Sequence, residues 1–139
     1  MKSIVIIFIT CLFSFACNNV SDKEYENSKE KMLEKEKENP VDFLAVTHTG
    51  KRNLIGQTVV RGVIMSKANV CSYENVRVKM LYYNKEGALV ENHEEVIEGV
   101  VAPKSILNFK TKYFTPKGTD SVVLSIMEAD AFGDKTVKN

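Results

Sequence analysis

The sequence has no tryptophan, only three cysteines and three prolines, and almost no net charge. Without tryptophan it lacks one landmark of antibody-type domains, which bury a tryptophan against a disulfide. The formal net charge is +1, and Lys2 carries the one charge before Ala16, so the rest of the chain is formally neutral. Proteins that bind nucleic acid show a basic stripe that neutralises phosphates, whereas lysine and glutamate are interspersed here. Nucleic acid is therefore not an expected partner.

The sequence also lacks the patterns of common catalytic sites. It has no glycine-rich phosphate loop and no nucleophile elbow, and Ser66, Ser72 and Ser105 have no base signature nearby. Acid/base catalysis needs a carboxyl whose pKa is raised by an apolar or like-charged setting. Nothing in the sequence supplies that setting for Glu91, Glu94, Glu95 and Glu98, which we expect on a solvated strand face. We predict that the protein is not an enzyme and has no cofactor.

Metal binding has weak support in the sequence. The two histidines, His48 and His93, lie in different predicted strands, with no cysteine or carboxylate at ligand spacing, so only tertiary contacts would assemble a zinc site. Glu128, Asp130 and Asp134 could hold calcium, but calcium loops usually place their oxygen ligands at closer, regular offsets. We predict no metal site, with zinc at a histidine and calcium at these acids as the alternatives.

The first 16 residues have the layout of a secretory signal peptide. Lys2 is followed by an apolar run that ends at Ala16, and the run is shorter than the roughly 20 apolar residues of a membrane-spanning helix. The segment Ser14-Phe15-Ala16-Cys17 resembles the bacterial lipobox, in the looser form found in Bacteroidota lipoproteins. That resemblance implies removal of residues 1–16, lipid on Cys17, and attachment of the protein to a membrane of the cell envelope, facing the periplasm or the cell surface.

Residues 17–40 are predicted to form a charged tether. From Asp22 to Glu38 the sequence is rich in glutamate and lysine, and it places like charges such as Glu26 and Glu30 four residues apart. Low hydrophobicity with high charge is typical of a solvated segment that cannot bury a core of its own. We therefore expect disorder or a fraying helix up to Pro40.

Residues 41–130 carry the alternation of a β domain, with residues 131–139 as a C-terminal tail. The clearest strand is Val76 to Tyr82, in which every second residue is apolar, and a turn at Asn84–Gly87 returns the chain toward Ile97. Further alternating strands surround this hairpin, with turns at sandwich-like intervals. The predicted fold is an all-β, immunoglobulin-like sandwich of about seven strands.

The segments Val76–Gly87 and Val101–Phe109 resemble the FxLYD family. The centre of the motif survives as Leu81-Tyr82, whereas Lys79 and Tyr83 stand where the family has phenylalanine and aspartate. The resemblance spans roughly Gly62 to Phe109 and implies an immunoglobulin-like envelope domain. It brings no catalytic residues.

Strict alternation places Tyr73, Leu81 and Tyr83 partly outside the core, where exposed aromatic and apolar side chains can bind a partner. Packing against a neighbouring loop is the alternative for these residues. Cys71 is expected to be a buried, inert thiol.

Taken together, the sequence predicts a lipid-anchored, non-enzymatic binding module for a protein or glycan, or else an accessory subunit that docks through a strand edge onto a larger envelope complex.

Overall fold

The computed structural model describes residues 22–49 and 59–133 of the chain. Within these ranges, an α-helix and a short 3-10 helix precede six β-strands. Helix α1 spans Asp22–Glu38, the 3-10 helix spans Pro40–Phe43, and the strands are β1 (Leu44–His48), β2 (Val59–Ser66), β3 (Tyr73–Tyr83), β4 (Leu89–Ile97), β5 (Ile106–Phe114) and β6 (Ser121–Ala131).

The strands form two antiparallel sheets of three. The first sheet has the order β1-β2-β5 and the second has the order β4-β3-β6. Ile64 and Phe109 of the first sheet pack in one core with Val76 and Val78 of the second. The predicted all-β sandwich is confirmed, although the described residues contain six strands where the sequence predicted about seven.

Alternation along β3 explains how the second sheet covers the core. Val76, Val78, Met80 and Tyr82 are fully buried, whereas the residues between them are only partly buried. Because successive side chains of a strand point to opposite faces, these four residues line the inner face of the sheet. Burial of one such apolar side chain contributes about 1.5–3 kcal/mol. The structure thus buries the same face of β3 that the alternation predicted.

The strand directions give the sandwich two ends. The loop 67–72 and the connection 98–105 lie at one end, which we call the helix end because α1 packs there. The turns 84–88 and 115–120 lie at the opposite end. In the first of these turns, the Asn84 side-chain oxygen accepts hydrogen bonds from the amides of Glu86 and Ala88, and Gly87 has a φ of 79°. Glycine adopts this left-handed conformation at little cost, as the sequence predicted.

The charged segment before the sandwich is an α-helix rather than the predicted disordered or fraying tether. Most of its side chains are exposed, but Leu33 packs against the core and Glu36 is fully buried. A helix of this composition has little stability of its own, so tertiary contacts near its C-terminus hold it. In the described part of the chain, no helix is long and apolar enough to cross a membrane.

Candidate functional site

Leu81 and Tyr83 lie on the outer face of the second sheet, beside two exposed apolar residues. The strand register sets Val123 of β6 opposite Leu81, and Leu89 of β4 opposite Tyr83. Val123 and Leu89 are each 52% exposed, whereas Leu81 and Tyr83 are half-buried. These four residues, which we call the outer patch, are neighbours because directly opposite residues in an antiparallel pair point to the same side.

Polar residues surround the outer patch on the same face. Asn92 lies opposite Leu81, Ser121 lies opposite Tyr83, and the next row toward the helix end pairs Lys79 with Glu94. A small apolar centre with a polar rim has the composition of a protein-contact surface, and the half-buried ring of Tyr83 adds an aromatic group to it. The patch lies near the end of the sandwich opposite α1.

Tyr73 does not belong to this surface. Its side chain is fully buried, so the expectation that it lies partly outside the core is wrong. The cause is an irregularity at Asn75, which has a φ of 52° and lies where the β3–β6 register shifts between Glu74 and Arg77. An extra residue of this kind reverses the alternation, so Tyr73 and Val76 both face inward although they are three residues apart.

Tyr73 instead takes part in a buried contact with α1. The Glu36 carboxylate accepts hydrogen bonds from three consecutive backbone amides, those of Asn69 (2.6 Å), Val70 (2.9 Å) and Cys71 (2.7 Å). The Tyr73 hydroxyl donates to the backbone carbonyl of Glu36 at 3.0 Å. We call this set of contacts the Glu36 latch. It gives an acceptor to one buried and two partly buried amides of the loop just before β3.

The electrostatics of the latch favour the ionised carboxylate. Burial by itself raises the pKa of Glu36, but the amides of Asn69, Cys71 and Val70 outweigh it, and the net pKa lies below its usual range. Burial, reinforced by Cys71 and Glu36, raises the pKa of the Tyr73 hydroxyl, which therefore keeps its proton and acts as a donor. The latch is thus a structural contact in which every charged or polar group is paired.

Two shallow grooves lie where α1 meets the loop 67–72, and Asn69 and Met32 line both of them. The larger, about 460 Å³, is lined by Tyr25, Ser28, Lys29, Met32, Asn69 and Val70. The smaller, about 370 Å³, lies beside Lys31, Lys35 and Phe43. Both have mixed linings, and neither contains a nucleophile with an adjacent base.

Two of the four glutamates predicted on a solvated face turn toward the other sheet instead. Glu95 accepts hydrogen bonds from the backbone amides of Lys112 (2.8 Å) and Tyr113 (3.3 Å), and Glu91 accepts one from the Tyr113 hydroxyl. Burial pattern explains the difference, since β4 alternates so that Glu91, His93 and Glu95 share its inner side. Glu94 is exposed as predicted, and exposed Glu98 pairs with Lys112.

The alternative metal ligands are separated or already paired. His48 ends β1 in the first sheet, whereas His93 lies in the second sheet and stacks on Tyr113 with ring centroids 4.1 Å apart. Glu128 pairs with Arg77 at 2.8 Å, and Asp130 accepts a hydrogen bond from the Asn75 side chain. Asp134 lies outside the described residues. Across residues 22–49 and 59–133, no cluster of three or more potential ligands is arranged to hold a metal ion.

Of the two cysteines for which the sequence predicts a role or an environment, Cys17 and Cys71, only Cys71 is among the described residues. Cys17, the predicted lipid-bearing residue, lies outside the described residues. Cys71 is buried, as predicted, and its thiol lies 3.3 Å from the Ser72 carbonyl oxygen.

Comparison of the chain with family models, curated proteins and solved structures finds no match.

Proposed function

We propose that this chain is a lipid-anchored cell-envelope protein whose sandwich is a non-enzymatic, immunoglobulin-like binding module for a protein or glycan. The anchor in this proposal is Cys17, supported by the signal-like segment 1–16 and the lipobox-like residues before it. More than one acyl chain on that cysteine would make attachment durable, because a single chain holds only marginally. The FxLYD-like centre Leu81-Tyr82 supports the same class of domain.

The outer patch is the observation that carries the binding proposal. The four residues of the patch stand side by side on three adjacent strands, on the face turned away from the core, and the two on the outer strands, Leu89 and Val123, are about half exposed. Packing of the core does not require them there, since Met80 and Tyr82 fill the inner face at the same level of the sheet. An apolar cluster rimmed by polar groups is a common feature of contact surfaces.

Helix α1 changes the role that the proposal gives to the charged segment. The Glu36 latch joins the helix to the sandwich, so the 17 residues of α1 act as a spacer of about 25 Å rather than as a loose tether. The latch lies at the helix end and the outer patch lies near the other end. The point where the helix joins the sandwich and the proposed binding surface therefore lie at opposite ends of the folded unit.

The experiment that tests the binding proposal is cross-linking and capture of the tagged, membrane-attached protein from intact cells, using Leu81→Glu as the test variant. A charge in the centre of the patch should lower the amount of captured partner by at least about tenfold, because a desolvated apolar anchor is lost. Lys110→Glu is the matched control, since it places the same charge on an exposed position of the other sheet. Equal capture by both variants would contradict the assignment of the patch.

The anchor is tested separately. Cys17→Ala should move the protein from the membrane fraction to the soluble fraction while the domain keeps its fold. Metabolic labelling with a fatty acid should mark the unsubstituted chain and not this variant. A Cys17→Ala protein that stays in the membrane fraction would contradict lipid anchoring without affecting the patch experiment.

A further inference from the structure

The two sheets of the sandwich differ in charge. The strands of the first sheet, β1, β2 and β5, contain three basic residues and no acidic one. The strands of the second sheet contain six acidic residues and two basic ones. Lysine and glutamate are interspersed in the sequence, so the fold itself separates the charges. A chain with a net charge of only +1 thus has one cationic sheet, and this distribution favours an anionic partner on that side.

Strand β5 and its neighbour β2 show what the first sheet presents to the outside. Burial alternates along β5, and its exposed positions are Ile106, Asn108, Lys110, Lys112 and Phe114. In β2, exposed Arg61 lies opposite Lys110, and exposed Met65 lies opposite Ile106. Directly opposite residues of an antiparallel pair point to the same side, so these seven residues share one surface. We call this surface the cationic face.

Arg61 and Lys110 lie at the centre of the cationic face. They are directly opposite each other in antiparallel strands, and within the described residues neither forms an ion pair. Like charges at opposite positions destabilise a sheet. The third basic residue of the face, Lys112, differs because it pairs with exposed Glu98 at 2.9 Å. An anionic surface that lies over Arg61 and Lys110 would relieve their repulsion.

The apolar residues of the cationic face indicate which anionic partner suits it. Ile106 and Phe114, at the two ends of β5, are 61% and 57% exposed, and Met65 is 36% exposed. Apolar side chains beside cations can enter the boundary between lipid headgroups and acyl chains, while the cations stay at the headgroups. An acidic protein usually brings cations of its own, whereas a layer of anionic lipids presents one sign of charge across the whole face.

We infer that the cationic face docks on a membrane surface that contains anionic lipids. In this arrangement the two unpaired cations lie at the headgroups, and the apolar side chains of the face reach into the boundary below them. Each basic residue near such a surface raises the partition coefficient by about fivefold, so the docking is weak and reversible. The lipid proposed on Cys17 would keep the face close to the membrane, but the attraction itself does not require that lipid.

Docking through the cationic face would set the orientation of the sandwich. The cationic face is the outer face of the first sheet, and the outer patch lies on the outer face of the second sheet. The core lies between the two sheets, so the two surfaces point away from each other. A docked sandwich therefore lies flat on the membrane and turns the outer patch away from it, toward a partner.

A fluorescent label on the cationic face tests the docking. The full-length Ile106→Cys chain is labelled with a polarity-sensitive fluorophore and mixed with vesicles of phosphatidylcholine, alone or with added phosphatidylglycerol, which is anionic. The emission should shift to shorter wavelength, and the anionic vesicles should need a lipid concentration lower by about fivefold or more. Salt at about 1 M, where the Debye length is about 3 Å, should reverse most of the shift.

The label also needs controls for its position and for the other cysteines. Val123→Cys is the matched control, because Val123 is 52% exposed on the outer face of the second sheet, and its emission should not change. The unsubstituted chain, with its own three cysteines, sets the labelling background. Attachment of the chain to vesicles through its N-terminal segment is common to all variants, so it gives no difference between positions 106 and 123.

Charge variants separate this docking from the proposed partner binding. In the labelled chain, Lys110→Glu should raise the lipid concentration needed for the shift by about fivefold or more, since an anion replaces a cation. Leu81→Glu should leave the shift unchanged. Capture of the partner should respond in the opposite way, with loss in Leu81→Glu and not in Lys110→Glu. Either proposal can therefore fail while the other stands.

Three results would overturn membrane docking. The first is an equal shift at positions 106 and 123, and the second is an equal response to vesicles with and without anionic lipid. The third is a shift at position 106 in the absence of lipid when the protein concentration is raised or an acidic protein is added. That result would assign the cationic face to a protein partner, either a second copy of this chain or another acidic protein.

Discussion

The hydroxyl of Tyr73 donates to the backbone carbonyl of Glu36 at 3.0 Å, from a side chain that is fully buried in the sandwich. A residue of the core thus holds the main chain of a helix that precedes the domain. The same turn of the helix places the Glu36 carboxylate on the amides of Asn69, Val70 and Cys71. The helix and the loop 67–72 consequently satisfy each other's buried polar groups.

We predict that Glu36→Ala destabilises the fold by about 2–3 kcal/mol, because one buried and two partly buried amides lose their charged acceptor. Glu36→Gln should cost less, since one amide oxygen still accepts. Chemical denaturation monitored by circular dichroism measures both. Glu34→Ala is the matched control on the exposed side of the same helix, and it should change stability by less than about 0.5 kcal/mol. A similar loss for both alanine variants would show that the helix matters and the latch does not.

The latch should also make stability depend on pH in the acid range. The pKa of Glu36 in the fold lies below its ordinary value of 4.5, so near that pH the unfolded chain binds more protons than the folded one. Stability from the latch is therefore fully present above about pH 5, and it is lost as the pH falls through the folded pKa. The difference in unfolding free energy between the unsubstituted chain and Glu36→Gln should shrink over that fall.

A control separates Glu36 from other carboxyls. The pKa of exposed Glu98 is also lowered, by its hydrogen bond and charge interaction with Lys112. Glu98→Gln should leave most of the fall of the unfolding free energy at acid pH in place, because the Glu98–Lys112 pair is on the surface and screened by solvent. Acid dependence that disappears in Glu98→Gln and persists in Glu36→Gln would contradict the assignment.

Gly62 of β2 lies between Phe109 of β5 and Thr47 of β1, and we predict that Gly62→Ala destabilises the sandwich by about 2–4 kcal/mol. An added Cβ would lie 2.6 Å from the Phe109 ring and 2.7 Å from the Thr47 carbonyl oxygen. The backbone oxygen belongs to a paired strand and has little room to move. Thermal unfolding of Gly62→Ala, with Arg61→Ala on the exposed side as control, measures the effect. Equal melting temperatures would show that the neighbouring strands yield.

The fold class could be predicted from the sequence because burial leaves a periodic record. The alternation of Val76, Val78, Met80 and Tyr82 predicted the inner face of β3, and the turn at Gly87 predicted the hairpin. The same record exists for Leu107–Tyr113, of which Phe109 and Thr111 are buried. Such a pattern requires only that every second residue is apolar. It can therefore be recognised without knowledge of the tertiary structure.

The latch could not be predicted in the same way. Glu36 is one of many glutamates in a charged segment, and its burial depends on three amides of a loop more than 30 residues away. A weak signal was available, since Met32, Leu33 and Glu36 recur at helical spacing on one side of α1. The inward turn of Glu91 and Glu95 was missed for a related reason, because their partners are backbone amides and a hydroxyl of another strand. Backbone donors carry no sequence signature.

Asn75 is the position at which the alternation of β3 fails, and its conformation makes a last prediction. Its φ of 52° is in the left-handed region, which asparagine tolerates better than most residues and which branched residues avoid. Asn75→Val should therefore cost about 1–2 kcal/mol, whereas Asn75→Gly should change stability little, because glycine removes the strain while losing one exposed hydrogen bond to Asp130. Asp130→Ala removes that hydrogen bond alone and serves as the control in the same denaturation series.

If valine were tolerated as well as glycine, the backbone at residue 75 would have to relax into regular strand geometry. Tyr73 would then turn outward and release its contact with Glu36, and the change would be visible as a shift of its tyrosine titration toward lower pH.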